Sequence, residues 1–202
     1  MSTTDHVVRM YIHDVRQRFG GLRRLAERAL AQVSDDEFLS ADGSDPGNSL
    51  GVLVKHISGY QVSRWTDFLS TDGEKGDRDR EAEFRLMGES RTQLMNRWDE
   101  GWRCLLTALE DLTHADLART VTIRGEPHSV PAAINRSLAE TAYHVGQIVQ
   151  RARILRDEDW QFLSIPPGGT AEHDRRMRER FPARSEGGGA LPGGKTPGDV
   201  SV

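Results

Sequence analysis

The chain has 202 residues, which fits one domain with a core of ordinary size followed by a tail. Its 27 basic and 31 acidic residues leave a formal net charge of −4, without the basic excess that binding to a nucleic-acid backbone needs. No apolar run approaches the roughly 20 residues of a membrane span. We therefore expect a soluble, cytoplasmic protein that binds neither nucleic acid nor membrane.

Four segments place apolar residues at steps of three and four, which is the spacing of an amphipathic helix. The predicted helices cover residues 5–33, 50–69, 90–112 and 129–155. Ser34 with Glu37, and Ser90 with Gln93, have the spacing of a capping box, and Pro131 suits the first turn of the last helix. The sequence therefore predicts an all-α fold, a four-helix bundle.

The segments between and after these helices have their own patterns. Residues 120–130 alternate around a glycine turn and predict a small β-hairpin before the last main helix. Residues 42–48 are a loop by composition, and residues 71–80 are a charged connection. Eight of the chain's 20 glycines lie at or beyond position 168. We therefore expect a helical domain over residues 1–167 and a Gly/Pro-rich, mostly disordered C-terminal tail over residues 168–202.

Histidines and carboxylates are the candidate metal ligands, because the single cysteine, Cys104, excludes a multi-cysteine zinc site. Glu140 and His144 are four residues apart at the edge of an apolar helix face, so both could reach one ion. From spacing alone, however, a glutamate and a histidine four residues apart are usually an ordinary surface or boundary pair. His56 lies among branched apolar residues of the second helix, where a hydrogen-bonded histidine at the core edge is the more common explanation.

Several motifs resemble the DinB/YfiT-like superfamily over about residues 5–166. They are residues 53–59 (LVKHISG), 63–75 (SRWTDFLSTDGEK), 100–102 (EGW), 122–126 (TIRGE), 134–136 (INR) and 142–148 (AYHVGQI). The resemblance implies a four-helix bundle, often dimeric, with a divalent metal held by three histidines. One of these histidines lies on the second helix, and two lie at i and i+4 on the fourth. The resemblance also implies a metal-dependent hydrolase or a transferase of low-molecular-weight thiols.

Carried onto this sequence, two of the three family histidines fall on His56 and His144, whereas the middle one falls on Glu140. Two histidines and one carboxylate still form a known ligand set for catalytic zinc and for non-haem iron. The resemblance therefore implies a divalent ion on these three residues, with zinc, nickel, iron and manganese as candidates. Further polar side chains near the ligands could supply hydrogen bonds: Tyr60, Ser63, Ser137 and Gln147.

Two functions remain open on this sequence. The first is a metal-dependent hydrolase or thiol transferase that uses the two-histidine, one-carboxylate site on a small-molecule substrate such as a low-molecular-weight thiol. The second is a non-catalytic four-helix scaffold or metal-binding module whose site is altered at Glu140. In both cases the resemblance implies a homodimer.

Overall fold

Helices dominate the computed structural model, which describes residues 3–40 and 49–182. Within those ranges the chain forms seven α-helices and one two-stranded antiparallel sheet. The helices are α1 (Thr3–Leu30), α2 (Asp35–Leu39), α3 (Leu50–Trp65), α4 (Arg80–Glu83), α5 (Arg91–Asp111), α6 (Val130–Arg156) and α7 (Thr170–Arg180). The strands are β1 (Thr120–Ile123) and β2 (Glu126–Ser129). The predicted fold class and the hairpin before the last main helix are therefore confirmed.

Serine side chains begin the helices where the sequence predicts them. The Ser34 hydroxyl accepts a hydrogen bond from the Glu37 amide, and the Ser34 amide donates to the Glu37 carboxylate at 2.7 Å. Ser90 and Gln93 form the same reciprocal pair before α5. Ser129 caps α6. Because each cap satisfies amide groups that a helix start leaves unpaired, these boundaries depend on local chemistry alone.

The helices α1, α3, α5 and α6 form the bundle, in which α3 packs chiefly on α5 and α1 chiefly on α6. Helices α1 and α6 run parallel, since Tyr11 lies beside Asn135 near their beginnings and Arg156 reaches Glu37 just beyond the end of α1. Helix α3 is the central one, because 14 of its 16 residues are buried. A polar side chain on α3 therefore lies inside the bundle, and His56 is one of them.

The loop after α3 holds the hairpin in place through Asp72. The carboxylate accepts hydrogen bonds from the backbone amides of Arg124 and Gly125, each at 2.8 Å, and from the amide of Glu74. These bonds, the one from Gly125 foremost, hold the pKa of Asp72 well below its usual range. Lys75 adds hydrogen bonds from Nζ to backbone oxygens of this loop and of α3. The DGEK motif is thus a structural connection between the loop, the hairpin and α3.

The structure differs from the sequence prediction at the end of α3 and in the tail. Helix α3 ends at Trp65 rather than at residue 69, because Thr66 is extended and Asp67 has a φ of 49°. The tail expected to be mostly disordered contains α7, where Arg175 pairs with Glu172 and Glu179. Ion pairs one turn apart support a helix that has no apolar stripe, so hydrophobic spacing could not predict it.

Contacts divide the chain into two compact units, one up to Asp159 and one from Trp160 on. None of the helices in the described ranges is long and apolar enough to cross a membrane. The predicted loop over residues 42–48 and the end of the tail, residues 183–202, lie outside the described residues.

Candidate metal centre

The three predicted ligands meet between α3 and α6. His56 on α3, and Glu140 and His144 on α6, each offer one ligand atom, and these atoms all lie within 4.8 Å of one another. The two imidazole rings are 4.9 Å apart between centroids and nearly perpendicular. His56 is buried, whereas Glu140 and His144 are half-buried, so the group is open to solvent on the α6 side. Glu140 and His144 therefore belong to a group of three converging side chains and are not an isolated surface pair.

A buried carboxylate fixes the His56 ring. The Nδ1 atom of His56 lies 2.8 Å from Oε2 of Glu83, the last residue of α4, and the ring stacks on Phe84. Burial would raise the pKa of Glu83, but hydrogen bonds from Arg78 and from His56 together lower it below its ordinary value. Because an ionised carboxylate can only accept, Nδ1 of His56 is the donor in this hydrogen bond and carries a proton. The Nε2 lone pair of His56 is then available to a metal.

Gln147 orients the second histidine. The Nδ1 atom of His144 lies 2.7 Å from the side-chain oxygen Oε1 of Gln147, one turn along α6. With the amide oxygen as acceptor, Nδ1 again carries the proton of the neutral ring. Burial lowers the pKa of His144 below its ordinary value, so the ring is neutral at pH 7 and able to bind a cation.

The carboxylate of Glu140 faces a buried cation. The Nη1 atom of Arg64 lies 3.4 Å from Oε2 of Glu140, and the Arg64 side chain is 5% exposed while that of Glu140 is 33% exposed. Burial lowers the pKa of Arg64, and the negative charge of Glu140 opposes that change. The guanidinium stays charged, because an arginine pKa begins far above neutrality. Arg64 therefore offsets the charge that glutamate adds at position 140.

Of the four polar side chains expected near the ligands, Gln147 is the one that forms a hydrogen bond with a ligand. The Tyr60 hydroxyl donates to Oγ1 of Thr141, whose own hydroxyl donates to the backbone oxygen of Ser137. Burial raises the pKa of Tyr60, so the phenol stays neutral. Ser63 accepts a hydrogen bond from the Lys75 amide and so anchors the loop after α3. These groups stabilise the surroundings of the site.

Sequence reasoning missed the side chains that hold His56 and balance Glu140, namely Glu83, Arg78 and Arg64. Glu83 and His56 are 27 positions apart, in a stretch without helical spacing, so no local pattern joins them. The signal that could have indicated the contact is Gly59, one turn after His56. A Cβ atom at position 59 would lie 2.1 Å from Oε1 of Glu83, so only glycine leaves room for this carboxylate against α3.

The donor set fits a divalent cation. Two imidazole nitrogens and one carboxylate oxygen suit zinc and iron, and nickel and manganese also accept such ligands. Both histidines have their Nδ1 atoms engaged by acceptors, the arrangement in which metal-binding histidines are usually found. A cavity of about 760 Å³ also borders Glu83 and Arg78, but its lining includes none of the three candidate ligands.

Comparison with known proteins assigns the chain to a family. Searches of curated proteins and of solved structures found nothing significantly similar to the chain. The sequence profile of one family, described as a protein of unknown function (DUF1572), matches residues 6–169. This range includes the bundle, the hairpin and all three candidate ligands. Because the match covers most of the sequence, the chain belongs to the DUF1572 family.

Proposed function

We propose that this chain binds one divalent metal ion through His56, Glu140 and His144 and uses it to activate a small-molecule substrate. The observation that carries the proposal is the convergence of three ligand atoms within 4.8 Å, contributed by two helices of the bundle. The hydrogen bonds at Nδ1 of both histidines support it, since they leave Nε2 of each ring as the atom that can face a metal.

The DinB/YfiT-like resemblance supports the same proposal. The observed bundle has the predicted order of four main helices, and the candidate ligands lie on the second and the fourth of them. We infer that the DUF1572 family shares the DinB/YfiT-like architecture. A hydrolase or a transferase of low-molecular-weight thiols is then the class of enzyme that we propose.

The chemistry proposed follows from what the side chains around the site do. A bound divalent ion would act as a Lewis acid, which polarises a carbonyl group or lowers the pKa of a water or thiol. Glu83 and Gln147 keep the imidazole rings in place. Arg64 offsets the negative charge of Glu140, and the one-third exposure of that carboxylate leaves the site accessible to a small molecule.

A second candidate function rests on the ion pair between Arg64 and Glu140. If this pair is the permanent state of the carboxylate, the three residues form a polar cluster that holds α3 against α6 without a metal. The chain would then be a non-catalytic scaffold with an altered site. The two functions differ in what Glu140 does, so a measurement on Glu140 separates them.

The test is elemental analysis of protein purified without a metal-affinity tag. Wild type, Glu140→Gln and His56→Ala are prepared in parallel. We expect nearly one metal ion per wild-type chain and a sharp fall in both variants, because each lacks one ligand. Glutamine keeps almost the volume of glutamate, so a loss of metal reports on the charge rather than on packing.

Matched controls come from exposed residues of the same types, with Glu100→Gln for the carboxylate and His114→Ala for the imidazole. Both controls should keep the metal content of wild type. Equal metal in all five proteins would contradict the ligand assignment. A metal-free wild type would favour the scaffold, in which case Glu140→Gln should lower the free energy of unfolding by about 1–3 kcal/mol, because the buried Arg64 would lose its charged partner. Ester, amide and thiol-conjugation substrates would then test activity.

We also propose that two copies associate, as the resemblance implies. Apolar side chains on the outer faces of α1 and α6 support this: Val7, Met10, Tyr143 and Ile154 are each more than half exposed. A second copy would remove these side chains from water.

A further inference from the structure

We propose that Glu83 is a positioning residue, which selects the tautomer and the ring orientation of His56 so that Nε2 is the atom presented to a metal. This inference rests on the proposed metal site. It goes beyond that site because Glu83 belongs to α4, outside the two helices that carry the ligands.

Contacts fix Glu83 from both sides. Arg78 donates two hydrogen bonds, from Nε to Oε1 at 2.7 Å and from Nη2 to Oε2 at 2.6 Å. Oε2 also accepts the hydrogen bond from His56 at 2.8 Å. The three side chains are 7–8% exposed, so water competes weakly for these bonds. Because both of its oxygens are hydrogen-bonded to Arg78, the carboxylate of Glu83 has a fixed orientation, and Oε2 has a fixed position relative to the imidazole.

The neighbouring backbone is shaped to admit this carboxylate. Gly59 lies on α3 one turn after His56, and a Cβ atom there would meet Oε1, Cδ and Cγ of Glu83 at 2.1, 2.6 and 3.2 Å. Any larger residue at position 59 would push Glu83 away from the helix. The His56 ring is further held by Phe84, stacked at a centroid distance of 4.9 Å.

Arg78 keeps the carboxylate of Glu83 ionised, so that it can only accept hydrogen bonds. Its guanidinium also donates to Glu74, with Nη1 at 3.0 Å from Oε2, so a series of hydrogen bonds runs from Glu74 through Arg78 and Glu83 to His56. If Glu83 served stability alone, the pairing with Arg78 would satisfy it. The additional bond to Nδ1 of a candidate ligand is what a carboxylate that orients a metal-binding histidine makes.

The experiment uses two readouts on the full chain, of which the first needs no metal. Nitrogen-15 NMR of the metal-free protein at pH 7.5 reports which ring nitrogen of His56 carries the proton, with the signals assigned by their loss in His56→Ala. We expect protonated Nδ1 in wild type. Glu83→Gln should mix the two tautomers, because an amide can donate as well as accept.

The second readout is zinc affinity, measured by competition with a chelator. We expect Glu83→Gln to weaken binding roughly 10- to 100-fold. Glu89→Gln is the matched control, since Glu89 is a half-buried glutamate paired with another cation, Lys55 of α3. This control should leave both the tautomer and the zinc affinity of wild type unchanged even if it lowers stability.

A second variant covers the case in which Glu83→Gln does not fold. Gly59→Ala displaces the carboxylate without changing its charge, and Gly146→Ala on the exposed face of α6 is its control. Glu83 would be merely structural if these variants left the tautomer unchanged and the zinc affinity within twofold of wild type. A wild type that binds none of zinc, nickel, iron and manganese would refute the proposed function, whereas the tautomer would still decide the role of Glu83.

Discussion

At position 140 the chain carries a glutamate where the resemblance implies a histidine, and the surroundings of this residue are adapted to the difference. Arg64, two turns after His56 on α3, places a buried positive charge 3.4 Å from the carboxylate. A site of two histidines and one glutamate is one unit more negative than a site of three neutral histidines. The positive charge of Arg64 balances part of the negative charge that Glu140 adds to the site.

Glu140→His should retain metal binding and change metal preference. Histidine restores a third nitrogen donor and makes the site one unit more positive, so we expect a shift toward zinc and nickel and away from manganese. Competition titrations of wild type and variant with zinc and manganese measure the ratio of the two affinities. An unchanged ratio would show that position 140 does not contact the ion.

Acid should weaken the pairing of Glu89 with Lys55, whose charged atoms lie 2.6 Å apart. Burial would raise the pKa of Glu89, but Lys55 and the backbone amide of Met87 lower it to about 2 from an ordinary 4.5. Because the folded-state pKa is lower than the unfolded one, this stabilisation is present above pH 4.5. It is lost as the pH falls toward 2.

Glu89→Gln tests this assignment. At pH 7 we expect the variant to lose about 1.5–3 kcal/mol of unfolding free energy, the range for a hydrogen bond to a charged group. The difference from wild type should shrink as the pH falls below 4.5. Urea unfolding from pH 3 to pH 7 provides the measurement. A difference independent of pH would assign the effect to packing.

Among the elements, those defined by local patterns were predictable and those defined by distant contacts were not. The helices α5 and α6 begin at serine caps that the sequence shows directly. The short helix α4 has no apolar stripe, and its importance lies in bringing Glu83 to His56, a contact across 27 positions. The sequence therefore indicates the ligands through motif resemblance, whereas the groups that orient them require the fold.

Close packing of α3 and α5 depends on Gly101. A Cβ atom at this position would lie 2.8 Å from Oε1 of Gln61 and 3.1 Å from the backbone Cα of Ser58 on α3. Gly101→Ala should therefore lower the free energy of unfolding by about 1–3 kcal/mol, since the buried contact faces of the two helices must separate slightly. Chemical denaturation measures the change.

Gly21→Ala on α1 is the control. Within the part of the chain that the structure describes, a Cβ atom added there would contact no other helix. Alanine favours a helix over glycine, so this variant should gain about 0.5–1 kcal/mol. Equal stability of Gly101→Ala and wild type would show that α3 and α5 tolerate a wider separation.

On the scale of the whole molecule, the candidate site and its supporting residues lie within the unit that ends at Asp159. Helix α7 belongs to the other unit and has no buried residue. A chain truncated after residue 167 should therefore keep the melting temperature and the metal content of the full chain. Differential scanning calorimetry and elemental analysis measure these. A loss of several degrees would show that the residues beyond 167 stabilise the bundle.

Exposed apolar side chains on α1 and α6 predict that two chains associate. Tyr143 and Ile154 are 66% and 58% exposed, and they lie 11 positions apart, which places them on one face of α6 about three turns from each other. Val7 and Met10 are likewise exposed on α1, the helix that packs on α6. Single exposed apolar residues are common, but an interface between two copies would cover the exposed apolar pairs on these two adjacent helices.

Light scattering at micromolar concentration should give wild type twice the 22.6 kDa mass of one chain. Met10→Lys with Ile154→Lys should shift the protein to monomer, because two lysines per chain would have to be buried in the interface. Thr107→Lys, an exposed change on α5, should leave the mass unchanged. A wild-type particle of 22.6 kDa would contradict association, and a dimeric double variant would place the interface on another face of the bundle.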